Sequence, residues 1–143
     1  MRPIALSLAL CVGLAGLGGI VPPAEAQSTA SAVASGTFQD ISPRYTGSGT
    51  ATVAQTADGQ TVLQLSNFSV TPGPDLEVWL VAADAPNTNN AVLASTYVSL
   101  GALQSPTGTQ TYGIPGSVDI SDYGSVVIWC EDFSVLFTMA SLR

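Results

Sequence analysis

From Thr37 onward the sequence is divided into short runs rich in Val, Thr and aromatic residues, and Gly, Pro, Asn or Asp separates each run from the next. Branched and aromatic side chains favour extended strands, whereas the separating residues favour turns. One segment, 117–123, has room for a single helical turn. The pattern predicts an all-β domain, an antiparallel β-sandwich or jelly-roll-like barrel of about eight strands. The predicted strands are 37–41, 48–55, 60–70, 75–83, 95–100, 109–114, 124–130 and 133–139.

Local patterns within this series predict particular turns and faces. Asp58-Gly59 between two Thr/Val-rich runs predicts a hairpin with a type I′ turn. The segment 71–75 predicts a turn in which Gly73 is free to adopt a positive φ. The alternation of side chains along 76–82 predicts a strand with one buried face. The polar residues at 84–90 predict a loop.

The first 26 residues have the three-part layout of a secretory signal peptide. A short basic start is followed by an uncharged run, Ile4 to Val21, and by the cleavage signal Ala24-Glu25-Ala26. We expect cleavage after Ala26, which leaves a flexible leader at 27–36 and a β domain at 37–143. The alternative is an uncleaved membrane anchor formed by residues 4–21. After cleavage the protein would be periplasmic or secreted and free of the membrane.

The charge and the residue types exclude several classes of function. The chain contains no histidine, which rules out His-ligated haem, His-containing metal sites and Ser-His-Asp or Cys-His catalysis. It has 10 Asp+Glu against 3 Lys+Arg, a net charge of −7. Nucleic-acid binding and docking on anionic lipid both need a basic surface, so we expect neither.

The cysteine count leaves one thiol in the domain. The chain contains 2 Cys, and Cys11 lies within the predicted signal peptide. Cys130 therefore stands alone after cleavage and cannot form an internal disulfide. We expect a monomer; a dimer bridged through Cys130 is the less favoured alternative.

Several short motifs occur in a definite order along the predicted domain. They are Asn67-Phe68, Gly73-Pro74-Asp75-Leu76, Leu100-Gly101-Ala102-Leu103, Gly108-Thr109-Gln110 with Tyr112 and Ile114-Pro115, Val126-Val127-Ile128-Trp129-Cys130, and Phe133-Ser134-Val135-Leu136-Phe137. In this order they closely resemble the DM13 family, a β-rich extracellular domain, over about Gly36 to Leu142.

This resemblance implies an electron-transfer or redox role that centres on Cys130. The cysteine would act as a bare redox thiol or as the ligand of an unidentified prosthetic group, with haem as one possibility. The sequence departs from the family pattern where relatives often show a His, because Gln39-Asp40 stand there, and no Lys follows Leu103. A mechanism that needs that His is in doubt.

The residues around Cys130 also allow a purely structural interpretation. On a strand Cys130 shares a face with Val126 and Ile128, and free cysteines are commonly buried as small apolar residues. Glu131 and Asp132 follow directly and oppose thiolate formation.

The sequence also suggests roles for two aromatic residues, one methionine and the carboxylates. Tyr112 and Trp79 are candidates for the wall of a cofactor pocket, although aromatic residues in a sandwich usually belong to the core. A tight hairpin at Glu131-Asp132 would place Cys130 opposite Phe133 and hold Met139 roughly 20 Å from the thiol, so Met139 is expected in the core. The carboxylates lack the spacing of a metal site, and none is predicted.

The sequence therefore supports two alternative functions. The first is an exported electron-transfer module, a component of a redox chain more than a turnover enzyme, whose donor or acceptor is a separate protein. The second is a non-catalytic extracellular binding module in which Cys130 is a buried core residue. In either case the acidic surface predicts a partner with a basic patch.

Overall fold

The computed structural model describes residues 30–143, so the predicted signal peptide at 1–26 and residues 27–29 lie outside the described part. Between Ala30 and Arg143, no helix is both long enough and apolar enough to cross a membrane. The elements are β1 (Ala30–Asp40), β2 (Gly47–Thr56), β3 (Thr61–Val70), β4 (Leu76–Val81), α1 (Asn89–Leu93), β5 (Tyr97–Ala102), β6 (Thr107–Ile114), a 3-10 turn (Ile120–Asp122), β7 (Ser125–Cys130) and β8 (Val135–Ser141).

The eight strands form one sheet in the order β5-β4-β7-β8-β1-β2-β3-β6. The strand pairs with a defined register are antiparallel. The two outermost strands, β5 and β6, follow each other in the chain and approach each other, so the sheet curls into a nearly closed barrel. This confirms the predicted all-β, antiparallel, eight-stranded class, and closure leaves little free edge for pairing with other chains.

The main core fills the inside of the barrel. Alternate residues of each strand point inward, as the two-residue period of a strand requires. Cys130 belongs to this interior cluster together with Val126 and Ile128, which confirms the predicted shared face. Other members are Phe38, Val53, Leu63, Leu65, Phe68, Val78, Leu80, Tyr112 and Phe137.

A second, smaller core covers the outer faces of β4 and β7. It contains Trp79, Val81, Val127, Trp129, Leu136 and Met139 from the strands and Val92 from α1. The expectation that only one face of β4 is buried is therefore wrong, because residues of β7 and β8 and Val92 of α1 pack against Trp79 and Val81 on the other face. Met139 is buried here, as predicted.

The helix α1 was not anticipated from the sequence. It begins directly after Thr88, whose hydroxyl accepts a hydrogen bond from the backbone N–H of Ala91 at 3.0 Å. Such a cap satisfies one of the free N–H groups at a helix start. The side chain of Asn89 accepts a second bond from the N–H of Leu136 at 2.8 Å, which fixes α1 to β8. The helix is too short for its period to be visible in the sequence.

The first strand begins earlier than predicted. β1 starts at Ala30, inside the segment expected to be a flexible leader. Its early part is held by the end of the chain: Ser35 donates to the carbonyl of Arg143 at 3.1 Å, and Arg143 donates back to Ser35 at 2.9 Å. The Ser/Ala-rich composition hides this pairing because its side chains are mostly exposed.

Two turns differ in detail from the prediction. The Asp58-Gly59 hairpin is present, but Gly59 alone of the two has a positive φ, of 88°. The N–H of Gly59 bonds to the carbonyl of Thr56 at 3.0 Å, so the turn spans 56–59 and is not type I′. In the segment 71–75, the positive φ belongs to Asp75, at 52°, and not to Gly73.

The connection between β7 and β8 is also longer than the tight hairpin predicted. Cys130 pairs with Val135, not with Phe133, and residues 131–134 form the loop. Ser134 has a φ of 54°, and the register shifts between Ile128 and Trp129. Met139 lies four residues beyond Val135, about 13 Å along the strand rather than 20 Å.

Candidate functional site

Four of the sequence motifs meet at one end of the barrel, which we call the Cys130 end. It consists of residues 72–76 before and at the start of β4, residues 102–106 between β5 and β6, and residues 130–135 between β7 and β8. Cys130 pairs with Leu76, and the N–H of Leu103 bonds to the carbonyl of Leu76 at 2.8 Å. The register of three adjacent strands thus brings together residues that are far apart in the sequence.

Cys130 is the last residue of β7, and its side chain is fully buried. Its Sγ donates a hydrogen bond to the carbonyl oxygen of Pro74 at 3.0 Å. The next residue, Glu131, donates its N–H to the carbonyl of Asp75, also at 3.0 Å. Pro74 itself is exposed to solvent, whereas the thiol bonded to its carbonyl is buried.

The segment over the thiol is held by close packing. A side chain at Gly73 would place its Cβ 2.8 Å from Cε2 of Phe137, which is why glycine stands there. Asp75 enters β4 through the left-handed region, an uncommon conformation outside glycine that Asp tolerates better than most residues. The Gly-Pro-Asp-Leu motif therefore builds the cover of Cys130.

On the far side of the Cys130 end, Tyr112 and Gln110 hold the segment 104–106. The hydroxyl of Tyr112 accepts a bond from the N–H of Gln104 at 2.9 Å and donates to the Oε1 of Gln110. The amide of Gln110 donates to the carbonyl of Ser105 at 2.9 Å, and its Oε1 also accepts from the N–H of Ser105. Burial raises the pKa of Tyr112 above its ordinary value. Tyr112 supports a wall of the site from within.

A cavity of about 240 Å³ lies between these two walls. Pockets for drug-sized ligands are usually larger, about 300–1,000 Å³. Neither Cys130 nor Tyr112 faces it directly. Its lining residues are Pro72, Gly73, Asp75, Leu76, Ala102, Leu103, Gln104, Ser105 and Pro106.

The described residues do not fit a prosthetic group bound through Cys130. The thiol is turned into the apolar interior and already bonded to Pro74, and it does not line the cavity. Met139, the other buried sulfur residue, belongs to the outer cluster on the opposite face. Among residues 30–143, no group of three His, Cys, Asp or Glu is placed to hold a metal ion. A haem would find neither space nor a second ligand here.

Trp79 lies on the outer face of the barrel and not at the cavity. Its ring is sandwiched between those of Tyr97 and Trp129, with ring centroids 3.9 Å and 5.0 Å away and interplanar angles of 5° and 22°. Its indole Nε1 donates to the Oε1 of Glu77 at 2.9 Å. No pattern along the chain indicates this stack, because its three rings come from three different strands.

A larger cavity, about 720 Å³, lies at the opposite end beside the β2–β3 hairpin and residues 113–120. Asp119 is its charged residue. The carboxylate of Asp119 accepts bonds from the N–H and hydroxyl of Ser121, at 3.0 Å and 2.7 Å, and these lower its pKa. Asp119 therefore acts as the N-cap of the 3-10 turn.

Comparison with known proteins gives one match. The family model described as electron transfer DM13 matches residues 37–142, which include every motif gathered at the Cys130 end. No curated protein and no solved structure matches the chain. Because the match covers most of the chain, the protein belongs to the electron transfer DM13 family.

Proposed function

We propose that the protein is an exported electron-transfer module in which the thiol of Cys130 is the redox centre. The observation that carries this proposal is the convergence at the Cys130 end: the Gly-Pro-Asp-Leu motif covers the thiol, and the Gln and Tyr of the Gly-x-Gln-x-Tyr motif hold the opposite wall. Membership of the electron transfer family supports the same function.

In its simplest form the reaction is a one-electron oxidation. The thiol gives one electron to an oxidising partner protein and releases its S–H proton to water, and reduction returns both to sulfur. The thiol is bonded to Pro74 within the exposed segment 72–75, so a movement of this segment would open a route for proton release. Burial also keeps other thiols from forming a bond to the sulfur.

The partner is a separate protein with a basic patch. The chain has a net charge of −7. Opposite charge on the partner would speed the encounter, and salt would weaken it.

The second candidate function is a binding module in which Cys130 is only a core residue. One observation favours it: the side chain of Cys130 is 0 % exposed and lies within the interior apolar cluster. This module would use its outer surface to bind a protein, a polysaccharide or a small apolar molecule.

A thiol titration separates the two functions. The exported protein is purified without reductant from a host that makes haem, and its visible spectrum is recorded. It is then treated with a one-electron oxidant such as hexachloroiridate, and free thiol is counted in denaturant before oxidation, after oxidation and after re-reduction.

The redox function predicts a thiol that is lost on oxidation and recovered on reduction, with no visible absorption band. Met139→Leu, which alters the other buried sulfur residue, should behave like the wild type. A thiol that survives oxidation unchanged until the protein unfolds would establish the binding module. A visible band that disappears in Cys130→Ala would instead show a bound group and overturn the bare-thiol form.

A further inference from the structure

Three aromatic side chains form a continuous stack on the outer face of the barrel. The planes of Tyr97 and Trp79 are parallel within 5° at 3.9 Å, and Trp79 and Trp129 follow at 5.0 Å. Rings stacked at these centroid distances are in van der Waals contact. An electron can pass between π systems in direct contact without crossing intervening bonds. The chain contains 2 Trp, and both belong to the stack.

The stack joins the two ends of β4. Tyr97 pairs with Val81 at the last residue of β4, whereas Cys130 pairs with Leu76 at its first. Tyr97 is 44 % exposed, while Trp79 and Trp129 are 2 % and 1 % exposed. The chain of rings thus begins at the surface and ends, within the protein, at the residue directly before Cys130.

We propose that Tyr97, Trp79 and Trp129 form a one-electron relay between the protein surface and the Cys130 end. When an oxidant removes an electron from Trp129, Trp79 donates an electron to Trp129. Tyr97 then donates an electron to Trp79. Tyr97 then loses its phenolic proton to water and remains as a tyrosyl radical until a one-electron reductant and a proton restore it. The claim that this relay carries electrons to or from Cys130 rests on the proposed function.

Glu77 is the proton acceptor of the relay. An indole that loses an electron becomes a strong N–H acid, and the N–H of Trp79 already points at the Oε1 of Glu77 at 2.9 Å. The same oxygen accepts a bond from the hydroxyl of Ser99 at 3.0 Å, which fixes its position. The carboxylate can therefore take the indole proton when Trp79 is oxidised and return it when Trp79 is reduced.

The test places a photo-oxidant at the inner end of the stack. Phe133 is exposed, in the loop after Cys130, and Phe133→Cys provides a thiol there. A ruthenium polypyridyl complex is attached to it in a Cys130→Ala background, where mass spectrometry confirms a single label. A flash with an external electron acceptor generates ruthenium(III), and transient absorption and electron spin resonance follow the radicals.

The relay predicts a tyrosyl radical that disappears in Tyr97→Phe and persists in Tyr123→Phe, the matched control. Trp79→Phe should slow its formation by an order of magnitude or more, and Trp129→Phe gives a second break if the first variant fails to fold. Glu77→Gln should change the intermediate from the neutral indole radical to the radical cation.

A tyrosyl radical that forms at the same rate in Trp79→Phe and Trp129→Phe, or no radical at Tyr97, would overturn the relay. Because the measurement is made without the Cys130 thiol, this outcome would leave the redox role of Cys130 standing. Conversely, a Cys130 that proves inert to oxidation would leave a positive relay result intact.

Discussion

The Sγ of Cys130 lies 3.0 Å from the carbonyl oxygen of Pro74 and donates its hydrogen bond to it, although the two residues are 56 positions apart in the chain. This bond joins the end of β7 to the segment that leads into β4. The thiol is fully buried, whereas the proline to which it is bonded is exposed to solvent. The cover over the sulfur thus decides whether Cys130 is accessible.

Loosening that cover should therefore expose the thiol. Gly73→Ala would place a Cβ 2.8 Å from the ring of Phe137, so the ring or residues 72–75 must shift, and either movement loosens the cover. We expect modification of Cys130 by a thiol reagent in native buffer to become several-fold faster than in the wild type. Gly116→Ala is the control, because a Cβ at Gly116 would meet nothing within 4 Å. Equal rates in the wild type and Gly73→Ala would show that Pro74 does not limit access.

Removing the hydroxyl of Tyr112 should destabilise the protein. Tyr112→Phe leaves the N–H of Gln104 without its acceptor and the Oε1 of Gln110 without one donor. A buried polar group without a partner costs about 1–3 kcal/mol; because Gln104 is exposed and Gln110 keeps its bond from Ser105, we expect a loss of about 1 kcal/mol in the free energy of unfolding measured with urea. Tyr123→Phe, the matched control, should cost less; an equal cost for both would contradict the role given to the Tyr112 hydroxyl.

The same residue should make stability fall at high pH. Burial raises the folded-state pKa of Tyr112 above the unfolded value of about 10. Its contribution to stability is then complete below pH 10 and is lost as the pH rises through the folded-state pKa. Above pH 10, the unfolding free energy of the wild type should fall more steeply than that of Tyr112→Phe. Parallel curves would refute the assignment.

Loss of the cap of α1 should weaken the outer core. Thr88→Ala removes the acceptor for the N–H of Ala91, and such caps contribute about 1 kcal/mol. We expect that loss in urea unfolding, with a change in the fluorescence of the buried tryptophans because Val92 packs in their cluster. The exposed Thr96→Ala serves as the control. If both substitutions have the same effect, the cap does not hold the helix in place.

Much of the fold can be predicted from the sequence, because short runs of β-branched residues separated by turn residues do not show a helical period. The face shared by Val126, Ile128 and Cys130 follows from the two-residue period alone. The outer core does not, because it depends on α1, a helix held by Thr88 and Asn89. The polar side chains of Thr88 and Asn89 thus hold α1 in the position where Val92 packs into the outer core.

The site was accessible from the sequence only in part. The motifs identify Cys130 and Tyr112 as candidate residues, but the spacing of the motifs does not show which strands are neighbours in the sheet. The bond from Cys130 to Pro74 and the stack of Tyr97, Trp79 and Trp129 both depend on the pairing of β4 with β5 and β7. These pairings link distant segments and have no local signal.

The most direct test of the central claim, that Cys130 is a redox centre, is voltammetry of the exported protein adsorbed on an electrode. The wild type and Met139→Leu should show the same reversible one-electron wave, and Cys130→Ala should show none while remaining folded by circular dichroism. A folded wild type without a wave, or a wave that survives in Cys130→Ala, would contradict the account.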